Sequence, residues 1–332
     1  MTARAWFLFS LMGVLWGIPY LMIKVAVDSD LSPSFVVFTR CALGAALLLP
    51  FAVRKGGLPG VLSTHWRPML AFACVEILGP WWTLTDAERR ISSSTAGLLI
   101  AAVPIIGALL ARFFGDTERL GARRLTGLGL GLGGVAVLTV PHLTGGDAWS
   151  LTEVMLTALG YAIAPLIVAR HLRDVPTLQL IAPCLALAAL VYAPAAVASR
   201  PAAMPDSATL ASLAGLGVIC TALAFVVFLE LIREAGPTRA VVFTYVNPAV
   251  AVAAGVTFLS EPLTGDVVAA FALILTGSVL ATATARVAAA PTRQDRRVPW
   301  SARQTSRAGG RVKTPSGALP EERPGSTGQG GG

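Results

Sequence analysis

Apolar residues in this chain come in blocks of about 20, the length a helix needs to cross a hydrocarbon core of about 30 Å. Ten such blocks can be marked, near 5–27, 34–53, 68–85, 93–114, 121–140, 150–170, 176–198, 208–232, 238–259 and 265–289. Gly and Pro interrupt several of them, which spanning helices tolerate better than soluble ones. Only 13% of the 332 residues are charged, against about 25% in soluble domains. So few charges cannot build a water-facing surface. The expectation is an all-α membrane protein with ten transmembrane helices. Its connections are mostly five to fourteen residues long, so sequential helices should be antiparallel neighbours. The run Ala5 to Val27 is longer than a signal-peptide core of about 7–15 residues and reads as a retained first helix.

Lys and Arg set the orientation. With the N-terminus inside, the inner segments hold 21 of the 26 Lys and Arg, and the outer loops hold Arg89, Arg90 and Arg200. Lys24 and Arg40 lie within spans. Both termini are therefore expected in the cytoplasm of a multi-pass cell-membrane protein, with the acidic Asp28-Ser29-Asp30 loop outside. Residues 290–332 are rich in Gly, Pro, Ser, Thr and Arg, a composition that cannot bury enough surface to order itself. They read as a disordered basic cytoplasmic tail, which either touches anionic lipid or is simply solvated.

The four cysteines, Cys41, Cys74, Cys184 and Cys220, fall inside apolar segments and form no C-x-x-C pair, so they read as small buried hydrophobes. The histidines are scattered, and no metal site is suggested. Gly127 to Gly134 has G-x-G spacing, but no strand precedes it. Small residues so spaced let membrane helices approach closely.

The two halves share landmarks at a nearly constant offset. Asp86, Arg89, Ala96 and Pro104 match Glu230, Arg233, Ala240 and Pro248, all 144 apart. Cys41, Glu118 and Gly134 match Cys184, Glu261 and Gly277, all 143 apart. These matches divide the chain into two five-helix units, 1–140 and 150–289. Five is odd, so the second unit must cross in the opposite sense. Inverted repeats are a recurring transporter architecture, with the substrate site near the midplane between the halves.

Several stretches are similar to EamA-type members of the drug/metabolite transporter superfamily. They are Trp16-Gly17-x-x-Tyr20-x-x-x-Lys24, then Ser32-Pro33 followed by Arg40, then Ala87-Glu88-Arg89-Arg90-Ile91-Ser92-Ser93-Ser94-Thr95-Ala96 with Pro104. Glu118 and Glu261-Pro262-Leu263-Thr264 complete the set. The resemblance covers about residues 5–289. It implies a ten-helix inner-membrane carrier with a central cavity, in a family that moves amino acids, other metabolites or drugs and includes many exporters. The second half has nothing to match Trp16-Gly17, and Arg40 aligns with Pro183.

Glu76 is the leading candidate. It lies about eight residues into its block, roughly 12 Å deep at 1.5 Å per residue. An ionisable group there costs about 2.5–3.5 kcal/mol on insertion scales and is a functional hypothesis by default. It could bind and release a proton, or be a structural partner for a buried Arg. Lys24 and Arg40 have stems long enough to snorkel; alternatively they attract an anionic substrate group such as a carboxylate. Trp16 and Tyr20, four apart, are expected on one helix face. Mid-block Tyr161, Tyr245 and Asn247 suit a cavity wall, whereas Trp81 and Trp82 could belong to an interfacial belt. Pro104 and Pro248 are candidate helix kinks. Asp86/Arg89 and Glu230/Arg233 are i, i+3 pairs at matching helix ends.

The function expected is a secondary active carrier, an exporter of a small organic solute by alternating access. No G-x-x-x-x-G-K-[ST] loop is present for ATP, so the energy would come from protons or from the solute gradient. No cofactor and no nucleic acid are implied; the partners are the solute and the bilayer, with no expectation for oligomeric state. The alternatives are a membrane receptor or scaffold without flux, and an intramembrane enzyme. The chain carries no H-E-x-x-H and no G-x-S-x-G, and it is not expected to be an enzyme.

Overall fold

Several helix starts are written into the sequence by small polar residues placed before apolar runs. In the computed structural model, which describes residues 2–113, 122–143, 148–235 and 246–282, Ser32 accepts a hydrogen bond from the Phe35 N–H at 3.1 Å and Ser92 accepts one from Thr95 at 3.1 Å. Asp206 caps in the same way, taking the Thr209 N–H at 2.7 Å. Each satisfies a backbone donor that the first helical turn leaves without a partner.

The described residues are helical, with no strand among them. In chain order the helices are α1 (Ala3–Leu15), α2 (Pro19–Asp28), α3 (Pro33–Arg54), α4 (Leu58–Ala73), α5 (Gly79–Ala87), α6 (Ser93–Ile100) and α7 (Val103–Phe113). Then follow α8 (Ala122–Leu143), α9 (Ala148–His171), α10 (Thr177–Ala198), α11 (Ser207–Ala214), α12 (Ala224–Ala235), α13 (Asn247–Phe258) and α14 (Gly265–Thr282). A π-helical turn, Cys74–Leu78, joins α4 to α5, and a longer one, Gly215–Leu223, joins α11 to α12. Five stretches are long and apolar enough to cross a membrane: Ala3–Asp28, Pro33–Arg54, Ala148–His171, Thr177–Ala198 and Ser207–Leu231.

Three expectations need correction. The third block was expected at 68–85, but helix begins at Leu58. The connection is only 55–57, where Gly56 and Gly57 take φ of 74° and 77°, a left-handed turn that glycine makes without strain. His65, Trp66 and Arg67 look like a polar loop in sequence and are helical instead. Trp16 and Tyr20 do not share one uninterrupted helix face, because the helix breaks between them at Trp16–Ile18 and restarts with Pro19 in its first turn. Among the cysteines, Cys74 is exposed while the other three are buried. Tyr245, Glu118 and the expected tail lie outside the described residues.

Helix pairing follows the exchange of halves. α3 packs along α10 and α8 along α14, each a helix against its counterpart, and α6 packs along α13, the counterpart of α7. α5 packs on α9 and α1 on α12, which are one pairing seen from the two halves. The two π-helical turns also correspond, since residues 74–78 plus 144 fall within 215–223. So do the helix starts at Val103 and Asn247, with Pro104 and Pro248 each the second residue of its helix. Proline there gives up no intrahelical hydrogen bond. α8 and α14 touch through glycine: a methyl group on Gly277 would lie 2.6 Å from the Gly131 Cα, so only hydrogen fits.

Candidate functional site

Arg40 gathers the candidate site. It projects from the third turn of α3, is 8% exposed, and does not snorkel to a helix end. Its guanidinium carbon stands 3.6 Å from the centroid of the Trp81 ring on α5, a cation–π contact between two buried groups, the setting in which such contacts are strongest. Its Nε donates to Thr221 Oγ1 at 2.9 Å. Thr221 lies in the second π-helical turn, and its hydroxyl donates to the Leu216 carbonyl at 2.8 Å. Among the described residues Arg40 forms no ion pair. One of its five N–H donors is accounted for by Thr221.

Around this cation the fold brings together three of the residues singled out from sequence. Glu76 is half-buried in the first π-helical turn, and the charge of Arg40 acts on it. Tyr161 of α9 is in electrostatic range of Trp81, Glu76 and Arg40. Tyr20, buried at the start of α2, is in electrostatic range of Arg40 and of Glu88. The π-helical turn is held by Tyr192, whose hydroxyl donates to the Leu78 carbonyl at 2.6 Å. Gly160 of α9 packs against the Val75 carbonyl, with a Cβ there also 2.8 Å from Pro80 Cγ.

Other candidates lie elsewhere. Trp16 packs on Phe225 and Phe228, with ring centroids 5.6 and 5.2 Å away. Asn247 opens α13, half-buried, and its side-chain oxygen has no hydrogen-bond partner among the described residues. Lys24 is pinned at the far end of α2. Its Nζ donates to Asp28 at 2.7 Å and to the Glu88 carbonyl at 3.0 Å.

That end of the bundle is closed by polar contacts between elements. Arg90 pairs with Asp86 at 2.5 Å and with Glu153 of α9 at 3.0 Å, and Arg89 reaches Asp86 at 3.3 Å. Glu261 accepts from the backbone N–H groups of Ser93 and Ser94 at 2.7 and 3.0 Å and from both hydroxyls. A carboxylate from the second half thereby sits on the N-terminus of α6, where the helix dipole favours negative charge. At the opposite end Glu230 pairs with Arg4 at 3.2 Å, and the side chain of Arg233 lies outside the described residues.

Sequence reasoning gave no role to Thr221 or to the carboxyl of Glu88, and it left Trp81 as a possible belt residue. Trp81 is buried, so the belt reading does not hold for it. Its adjacency to Trp82 hid that the two point differently: the indole N–H of Trp82 reaches Ser34 Oγ at 3.3 Å.

The model of the EamA-like transporter family matches residues 3–140 and again 148–283. The uncharacterised inner membrane transporter YedA of Escherichia coli (strain K12) is 25% identical over 281 residues, covering 80% of this chain and 89% of YedA. An uncharacterised transporter of Archaeoglobus fulgidus is 25% identical over 279 residues, 82% of this chain and 97% of that one. A chloroplastic WAT1-related protein of Arabidopsis thaliana is 31% identical over 157 residues, 44% of this chain and 37% of its own length. One crystal structure superposes with a TM-score of 0.61 at 19% identity, covering 85% of this chain and 98% of that chain; it speaks to the fold alone.

Proposed function

Because this chain belongs to the EamA-like transporter family, and is on that ground a multi-pass membrane transporter, we propose that it is a secondary active exporter of a small organic solute carrying a carboxylate. Ten spans arranged as two inverted five-helix repeats would provide two related packings, and alternating access would follow from exchanging them. The helix pairing that repeats on exchange of the halves supports this arrangement. Both termini face the cytoplasm, and the end bearing Lys24, Glu88 and Glu261 faces outward, as the Lys and Arg distribution requires.

The observation that carries the reading is the buried Arg40, which has no ion-pair partner among the described residues. A charge taken out of water without a counter-ion is costly. It is retained where a ligand completes it. The guanidinium fork matches a carboxylate in two parallel hydrogen bonds, Trp81 fixes the plane of that fork, and Tyr20 and Tyr161 supply walls. Glu76 would hold a proton in one state and release it in the other.

The test compares metabolites released by cells expressing wild type, Arg40→Lys and Glu76→Gln at matched membrane levels. An acid accumulating outside only with wild type supports export and both roles. If wild type releases nothing beyond empty vector, export is wrong, and uptake must be measured in proteoliposomes.

A further inference from the structure

Glu88 is a carboxyl that the site above does not use. It follows the last residue of α5, in the connection to α6, and is fully buried. Neither of its carboxyl oxygens has a hydrogen-bond partner among the described residues. An ionised carboxylate left so would be among the most costly groups a protein can bury. Burial pushes this carboxyl well above the usual range; Lys24 and Arg40 oppose the shift, and Glu261 and Asp28 add to it.

The groups that face it come from several elements. Lys24, Asp28 and Tyr20 belong to α2, Arg40 to α3, and Glu261 to the segment after α13. On its own side, Asp86, Arg89 and Arg90 are occupied with one another and with Glu153. Among the described residues Lys24 is the one cation whose side-chain nitrogen is bonded to Glu88, and it bonds the main-chain carbonyl rather than the carboxyl. An ammonium has three N–H donors. Two are taken, by Asp28 and by that carbonyl, which leaves one, on an ammonium whose charge acts on the carboxyl.

We propose that Glu88 is a proton-binding site of this carrier, protonated while the outer end is closed and ionised, with Lys24 as its counter-ion, once that end opens to water. The balance is simple. The O–H bond of the carboxyl breaks, the proton leaves to outside water, and the carboxylate takes the free Lys24 donor. Closing reverses each step. The proposal rests on the transporter reading for its orientation, but proton binding itself needs no substrate. Glu88 and Glu76 stand twelve residues apart in the same rod, about 18 Å at 1.5 Å per residue. Tyr20, Arg40 and Tyr161 lie electrostatically between them. The carrier would then own a carboxyl towards the outside and another at mid-depth.

The test is an infrared pH titration of the reconstituted full-length protein, read in the carbonyl stretch of protonated carboxyl groups. The wild-type spectrum should show a band at neutral pH that fades on alkalinisation. Glu88→Gln should lack it, Glu88→Asp should keep it at a shifted frequency, and Lys24→Met should move its midpoint to higher pH. Identical titrations of wild type and Glu88→Gln would overturn the proposal, and so would a band unmoved by Lys24→Met. If the band behaves as expected while wild type exports nothing, the transporter reading fails and the proton site stands.

Discussion

The Arg40 guanidinium carbon lies 3.6 Å from the centre of the Trp81 ring, and the same group reaches across to Thr221 at 2.9 Å. One cation is thus held between α3, α5 and the second π-helical turn. It cannot rotate freely, because stacking fixes its plane and the threonine fixes its edge.

Arg40→Lys is expected to cut transport about tenfold or more, since a hydrogen bond to a charged group is worth about 1.5–3 kcal/mol and Lys cannot stack as a planar fork. Arg40→Met should abolish transport yet leave the melting temperature equal or higher, because an unpaired buried charge is replaced by an apolar chain of similar length. Flux assays run beside thermal unfolding in detergent decide this. A large loss of stability in Arg40→Met would make Arg40 structural.

Arg90→Ala should unfold more easily. It strands Glu153, whose side chain is 1% exposed, and breaking a buried pair costs about 3–5 kcal/mol. Adding Glu153→Gln should recover part of the loss by removing the stranded charge. The readout is the melting temperature of the two variants; equal values would show that Glu153 does not depend on Arg90.

Glu261→Gln keeps the shape of the side chain but removes a charge from the N-terminus of α6, an interaction worth about 0.3–2 kcal/mol. This polar closure, on the outer side in the orientation proposed above, should open more often. In a background with the native cysteines replaced by alanine, Ala96→Cys is buried in the closed form. It should react several-fold faster with a membrane-impermeant maleimide when Glu261→Gln is present. Unchanged labelling would remove Glu261 from the closure.

Gly160→Ala should destabilise by about 1–3 kcal/mol, because its methyl group meets the Val75 carbonyl and Pro80. Gly129→Ala is the control. Nothing lies near that position, and alanine in a helix gains about 0.5–1 kcal/mol over glycine. Opposite signs are expected in thermal unfolding of the pair.

Block length and landmark spacing were enough to locate helical rods and to align the halves, because both are properties of chain order. Rotation about each rod is not. Glu76, Arg40 and Tyr161 could be named as deep polar groups, but only packing shows that Trp81 rather than Trp82 turns inward under Arg40. The break at Trp16–Ile18 was hidden because a Gly-x-Pro stretch does not interrupt hydropathy. The start at Leu58 was hidden for the opposite reason, since His65 and Arg67 depress hydropathy inside a helix. Thr221 could not be found at all from sequence. Its importance comes from facing a residue 181 positions away.

The glycine contact between α8 and α14 has a kinetic meaning. Two backbones in touch have no rotamers to reshuffle, so this seam can stay still while side-chain contacts elsewhere in the bundle are exchanged. If the chain works by the alternating access proposed above, a fulcrum of that kind would add nothing to the barrier between its two packings. Bulk introduced there should therefore slow turnover without altering how tightly the solute is held.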